Sequence, residues 1–74
     1  MSKLMEILSK IPAKFDEPLN VPMVIPVRIY SIEKTRDGLV MVQLNDGHFH
    51  QLEEKDRNYD AVADAILNRL NNIR

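Results

Sequence analysis

The sequence has no cysteine and no tryptophan. That excludes disulfide cross-links and thiolate zinc sites as supports for a chain of only 74 residues. A chain of this size buries only about 60–65% of the surface it exposes when unfolded. Oligomerisation is the remaining common support for so small a core, and it is expected here. Glycine is nearly absent as well, with two in the whole chain. Both stand in turn-like contexts, so there is no glycine-rich phosphate loop. Aromatic side chains are confined to Phe15, Tyr30, Phe49 and Tyr59, too few for an extended base-stacking platform.

Charge of one sign is missing too. Ten basic against eleven acidic residues leave a net charge of −1, and the basic residues are scattered rather than striped. Nucleic-acid binding is therefore not expected. No apolar run approaches the roughly 20 residues of a membrane span. Glu6 and Ser9 interrupt the apolar stretch of "MSKLMEILSK", which does not read as a signal-peptide core. The expectation is a soluble, cytoplasmic protein without a membrane partner.

What is present is organised by period. Leu4, Ile7, Leu8 and Ile11 fall on one face of a short helix, with Ser2 as N-cap, Met5 at N3 and Pro12 as the stop. Residues 12–22 form a proline-rich extended connection, because each residue before a proline is driven away from helix. The stretch "MVIPVRIYSIEK", residues 23–34, reads as a strand, and Pro26 marks it as an edge strand. "LVMVQLN" and "HFHQLEE" follow as two more strands, closing a sheet over residues 23–54. From Asn58 the period turns helical: Tyr59, Val62, Ala63, Ile66, Leu67, Leu70 and Ile73 form an apolar stripe over residues 58–73. Asn58 or Asp56 is available to cap it, with Arg69 and Arg74 near its far end. The fold class expected is α+β, as one small domain over residues 1–74: short N-terminal helix, three-stranded antiparallel meander, C-terminal amphipathic helix.

Asp46-Gly47 suits a two-residue type I′ hairpin turn. That register sets Leu44 opposite Phe49, Gln43 opposite His50 and Met41 opposite Leu52. A four-residue loop over Thr35–Gly38 then sets Ile29 opposite Leu44. The core face becomes Ile25, Val27, Ile29, Val40, Val42, Leu44 and Phe49. The other face collects Arg28, Tyr30, Gln43, Asn45, His48 and His50, which is the candidate ligand- or partner-binding surface.

The histidine pair invites a metal or a proton-transfer role. A catalytic zinc needs a third protein ligand and a structural zinc a fourth, and no suitably spaced residue supplies them. Neither Ser2, Ser9 nor Ser31 belongs to a nucleophile motif, and no cysteine nucleophile exists. No catalytic residue, metal or cofactor is therefore expected, and the chain is not read as an enzyme. Residues 25–32, "IPVRIYSI", with the preceding helix, resemble Sm-like RNA-binding proteins. That resemblance implies five strands where this sequence spends its end on a helix, and no second motif follows, so no family is assigned.

The expected function is a small non-enzymatic protein–protein interaction module, a regulator or inhibitor acting as a homodimer. The alternative is a protein that binds a small anionic metabolite or nucleotide at a subunit interface through Arg28, Tyr30, His48 and His50.

Overall fold

The structure, a computed structural model, describes residues 2–23 and 25–72. Val24, Ile73 and Arg74, which the sequence assigns to the first strand and to the end of the second helix, lie outside the described residues.

The first helix, α1 (Lys3–Lys10), starts where the sequence indicated. The Ser2 hydroxyl accepts the Met5 amide hydrogen at 3.2 Å, satisfying one of the free donors of the first turn. It ends at Ile11, whose amide donates to the Ile7 carbonyl at 2.9 Å before Pro12 blocks continuation. The C-terminal helix, α2 (Tyr59–Asn71), has Asn58 at its N-cap position, but no side chain caps it. Lys3 Nζ reaches Asp60 and Asp64 at 3.2 and 3.0 Å, and Lys10 Nζ reaches Asn71 Oδ1 at 2.6 Å. These ties join start to start and end to end, so the two helices run parallel.

The fold is α+β, as expected, but the sheet has five strands rather than three. Two short strands, β1 (Lys14–Phe15) and β2 (Leu19–Val21), come from the proline-rich connection. Both pair antiparallel with β3 (Val27–Lys34), in line along its outer side. From Phe15 to Leu19 the edge takes four steps while β3, from Ile32 to Ile29, takes three. The extra residue lies in the Asp16–Pro18 segment that separates the two strands. An extended chain with prolines at its ends is a good edge, because the residues between the prolines still carry amides to donate. β3 itself is therefore central, and Pro26 stands just before it rather than within it. Next come β4 (Val40–Leu44) and β5 (Phe49–Gln51), which closes the far edge.

The register departs from the sequence expectation by one residue. In the second hairpin Leu44 donates to the His48 carbonyl (3.2 Å) and Gly47 to the Leu44 carbonyl (3.0 Å). The loop thus has three residues, Asn45-Asp46-Gly47. The first hairpin repeats the pattern with Thr35, Leu39 and Gly38, at 2.9 and 3.1 Å. A type I′ turn would need Asp46 at positive φ, whereas a three-residue loop needs that only of its last residue. Gly38 and Gly47 supply it, at φ 81° and 83°, and no non-glycine residue among those described has positive φ. Slipping one residue turns every side chain of a strand to the opposite face. β5 accordingly pairs Gln43 with Phe49, Val42 with His50 and Met41 with Gln51.

The same slip in the first hairpin should invert all of β3, but it does not. An extra residue at Tyr30 shifts the β3–β4 register between Ile29 and Ser31. Ile29 therefore still faces Leu44, as the sequence reading had it, because a loop one residue shorter and a one-residue bulge cancel.

Both helices lie on one face of the sheet. Ile7, Val21, Ile29, Ile32, Val40, Ala63 and Ile66 are almost wholly buried between the layers, with Leu52 and Tyr59 at one end. Two expected core residues are not there. Ile25 is 77% exposed, just ahead of β3, and Phe49 is 43% exposed on the helix-free face, turned outward by the register. Leu52 takes the inward place instead, its amide donating to the Val40 carbonyl at 2.8 Å.

The loop chemistry and the core each carry a measurable cost. Gly47→Ala has open space for its Cβ, but left-handed backbone costs a non-glycine residue about 1–2 kcal/mol. A melting temperature roughly 4–8 °C lower per kcal/mol is the expected result for a domain of this size. Ile66→Ala, at a fully buried position, should cost about 2–5 kcal/mol and leave much of the protein unfolded in a urea titration.

Candidate functional site

The histidine-bearing turn is organised by Asp46. Its Oδ1 accepts the His48 amide hydrogen at 2.9 Å, and its Oδ2 lies 3.3 Å from His50 Nε2. The first contact holds the loop shut two residues on, as Asp and Asn side chains do in turns. The hydrogen bond from the His48 backbone, followed by that from His50, lowers the Asp46 carboxyl below its ordinary value of 3.8.

The register divides the residues that the sequence reading had grouped. Arg28 and Tyr30 do share the helix-free face, the guanidinium 5.3 Å from the ring centre. Gln43 is on that side too, its amide nitrogen donating to the Gly47 carbonyl at 3.1 Å. Asn45 is an exposed loop residue. His48 and His50, opposite Leu44 and Val42, belong to the helix-covered side of the sheet. The six do not converge on one surface.

What the fold builds near the histidines is a groove between the end of the sheet and the start of α2, with a volume of about 310 Å³. Its floor is Val27, Val42, Leu44 and Leu52, and the α2 side contributes the Tyr59 ring and Val62. Its mouth is polar, formed by His50, Gln51, Asp56, Arg57 and Asn58. The volume is near the lower limit of ligand sites, and the apolar wall with a few polar groups is their usual composition. Of this set only His50 was in the candidate surface read from the sequence. The signal for the rest was present: α2 begins with two turns whose apolar residues must cover the sheet end where the Asp46-Gly47 loop stands.

Tyr59 links the groove to α1. It is 8% exposed, and its hydroxyl lies against the backbone of Leu4 without a hydrogen bond of normal geometry among the described residues. Burial raises its phenol above the ordinary value of 10.0.

The serines are committed elsewhere. Ser2 caps α1, Ser9 donates to the Glu6 carbonyl at 2.8 Å, and Ser31 donates to Asp16 Oδ1 at 3.2 Å. None of these contacts places a serine hydroxyl beside the His50 imidazole. Among the described residues no group of three or more His, Cys, Asp or Glu side chains is arranged to hold a metal ion. No helix among them is long and apolar enough to cross a membrane. No family model matches the sequence, and no curated protein or solved structure resembles it significantly.

Two titrations check this geometry. Because the Asp46 carboxyl is lowered in the folded state, the stability it contributes is present above about pH 4 and is lost as pH falls through the folded value. Asp46→Asn retains an oxygen for the His48 amide and should flatten the acid limb of a pH–stability curve. Tyr59 behaves oppositely at high pH: its contribution is full below pH 10.0 and is lost as pH rises through the raised folded value. Tyr59→Phe should flatten that alkaline limb while changing stability at neutral pH by less than about 1 kcal/mol, since no hydrogen bond is removed.

Proposed function

We propose that this chain is a small non-enzymatic interaction module that recognises an extended segment of another protein by adding it as a strand to β5. The observation that carries the reading is the contrast between the two edges of the sheet. Along β1 and β2 the edge is blunted: Asp16–Pro18 interrupts it, Pro12, Pro18 and Pro22 punctuate it, and Lys14 projects from it. Those are the devices that keep strand edges from pairing. β5 has neither proline nor lysine. Hydrogen bonds at His48 and Leu52 point their backbone groups toward β4, so the alternate residues, Phe49 and Gln51, direct their N–H and C=O groups outward.

The surroundings of β5 support the same reading. The groove lies beside it on the helix-covered side, and the exposed ring of Phe49 flanks it on the other. Strand addition draws affinity from main-chain hydrogen bonds and specificity from such side-chain pockets. A regulator or inhibitor that masks a segment of a larger protein would work in this way. A second copy of the chain is the homodimeric alternative, but β5 is only three residues long, with Asp46 before it and Glu53, Glu54 and Asp56 after it in sequence. The alternative of an anion held between subunits loses its motivation, because Arg28 and Tyr30 are on the opposite face from the histidines.

The test is a proline on the open edge. Gln51→Pro removes an outward amide hydrogen while leaving the pairs with β4 intact, so the fold should persist. Linear peptides selected from a random library against the wild-type chain should shift the Phe49 and Gln51 amide resonances. They should lose binding to Gln51→Pro. Selected peptides that bind the proline variant equally well would show that β5 is not the docking edge.

A further inference from the structure

The helix-free face of the sheet is ordered about one row of residues. The ladder sets Ser31, Gln43 and Phe49 side by side across β3, β4 and β5. Glu33 stands opposite Met41, two positions along β4 from Gln43, and shares the face of Ser31. Ile29 stands opposite Leu44, one position the other way, so Arg28 lies two rows from Ser31 on that side. The extra residue at Tyr30 is what brings Arg28 and Glu33 to one face, because on a regular strand their odd spacing would divide them. Arg28 and Glu33 therefore flank the row at equal distance. Ser31 itself is buried, with its hydroxyl on Asp16, but Tyr30 and Phe49 beside it are 41% and 43% exposed.

Charge on this face is opposite at its two ends. Arg28 lies over the Tyr30 ring and has no carboxylate partner among the described residues. At the other end Lys14 is shared between Glu33 at 3.9 Å and Asp16 at 3.7 Å, which leaves one negative charge in surplus there. We infer that this face docks on a second copy of the chain, about a two-fold axis running along the Ser31–Gln43–Phe49 row. Rotation about that line sets the two sheets face to face with their strands antiparallel. It lays Phe49 against Phe49 and Tyr30 beside Tyr30, and it brings each Arg28 opposite the Glu33 of the other copy. Sheets packed in this way stand about 10 Å apart, a gap that two layers of such side chains fill. Aromatic pairs and opposed charges then supply the contact that a small core lacks. Docking through the face leaves the β5 edge free, so it stands or falls independently of strand addition.

Sedimentation equilibrium of the full chain, from micromolar to millimolar concentration, tests this. The wild type should dimerise within that range. Arg28→Glu and Glu33→Arg should each weaken the dimer about tenfold, because each reversal sets like charges at two symmetric contacts. The exchange of both, Arg28→Glu with Glu33→Arg, should restore association to within about threefold of the wild type, a rescue that damage to the fold cannot produce. Phe49→Ser with Tyr30→Ser should give a monomer. A wild-type chain that stays monomeric at millimolar concentration overturns the inference, and single-stranded DNA shifting the Tyr30 and Phe49 resonances of that monomer would give the face to stacked bases instead. A dimer indifferent to both single reversals, or one that the exchange does not rescue, has its contact elsewhere and overturns the inference as well.

Discussion

The structure depends on where backbone of positive φ is permitted. Only two residues of the chain can take it at little cost, and the fold places both at the same position of the same kind of loop. Each hairpin is a three-residue connection ending in glycine, and each sets a register that an Asp in the left-handed region would otherwise have had to set. Everything on β5 follows from the second of these. Val42 faces His50, Leu52 enters the core, and Phe49 turns outward because Gly47, and not Asp46, bears the strained dihedral.

Had the loop been one residue shorter, Phe49 would enter the core and Leu52 would leave it. That exchange buries a larger side chain, so local burial alone does not select the observed register. The loop and the path to α2 weigh more. Leu52 is the last residue tied to β4, and the chain after it must cross to the helix layer within a few residues. Tyr59 then covers the same end of the core. The Asp46 carboxylate adds to the loop by holding the His48 amide, an interaction confined to three consecutive residues. Local turn chemistry and the demands of the next element agree, which is the condition for a sequence to specify one pairing.

The elements with a strong period were legible in the sequence: both helices, the Ser2 cap, the β3 and β4 segments, and the order that makes the fold α+β. Pairing was not. Asp-Gly is compatible with both a two-residue and a three-residue hairpin, and period-2 alternation cannot choose between registers that differ by one. The bulge at Tyr30 is marked only by a change of parity, the apolar residues passing from odd positions (Val27, Ile29) to an even one (Ile32), which the regular alternation assumed for this strand overlooked. β1 and β2 escaped because four prolines in fifteen residues read as irregular chain, although Lys14–Phe15 and Leu19–Val21 each fit between two of them. The candidate site inherited these errors. Its members were chosen by face, so one wrong parity on β5 separated the histidines from Arg28 and Tyr30.

On the proposed strand addition, the length and sequence surroundings of β5 bear on whether a second copy of the chain would pair with it. β5 is only three residues long, which limits the main-chain bonds a second copy could gain. Its flanks hold carboxylates on both sides, Asp46 before it and Glu53, Glu54 and Asp56 after it. Two such edges approaching each other desolvate like charges, whereas an extended segment of opposite charge meets no such barrier. On the proposed reading, a short edge with carboxylates on either side of it in sequence would discriminate against a second copy. On the same reading the groove adds a second condition, because a side chain opposite His50 would have to fit among Val42, Leu52 and Val62.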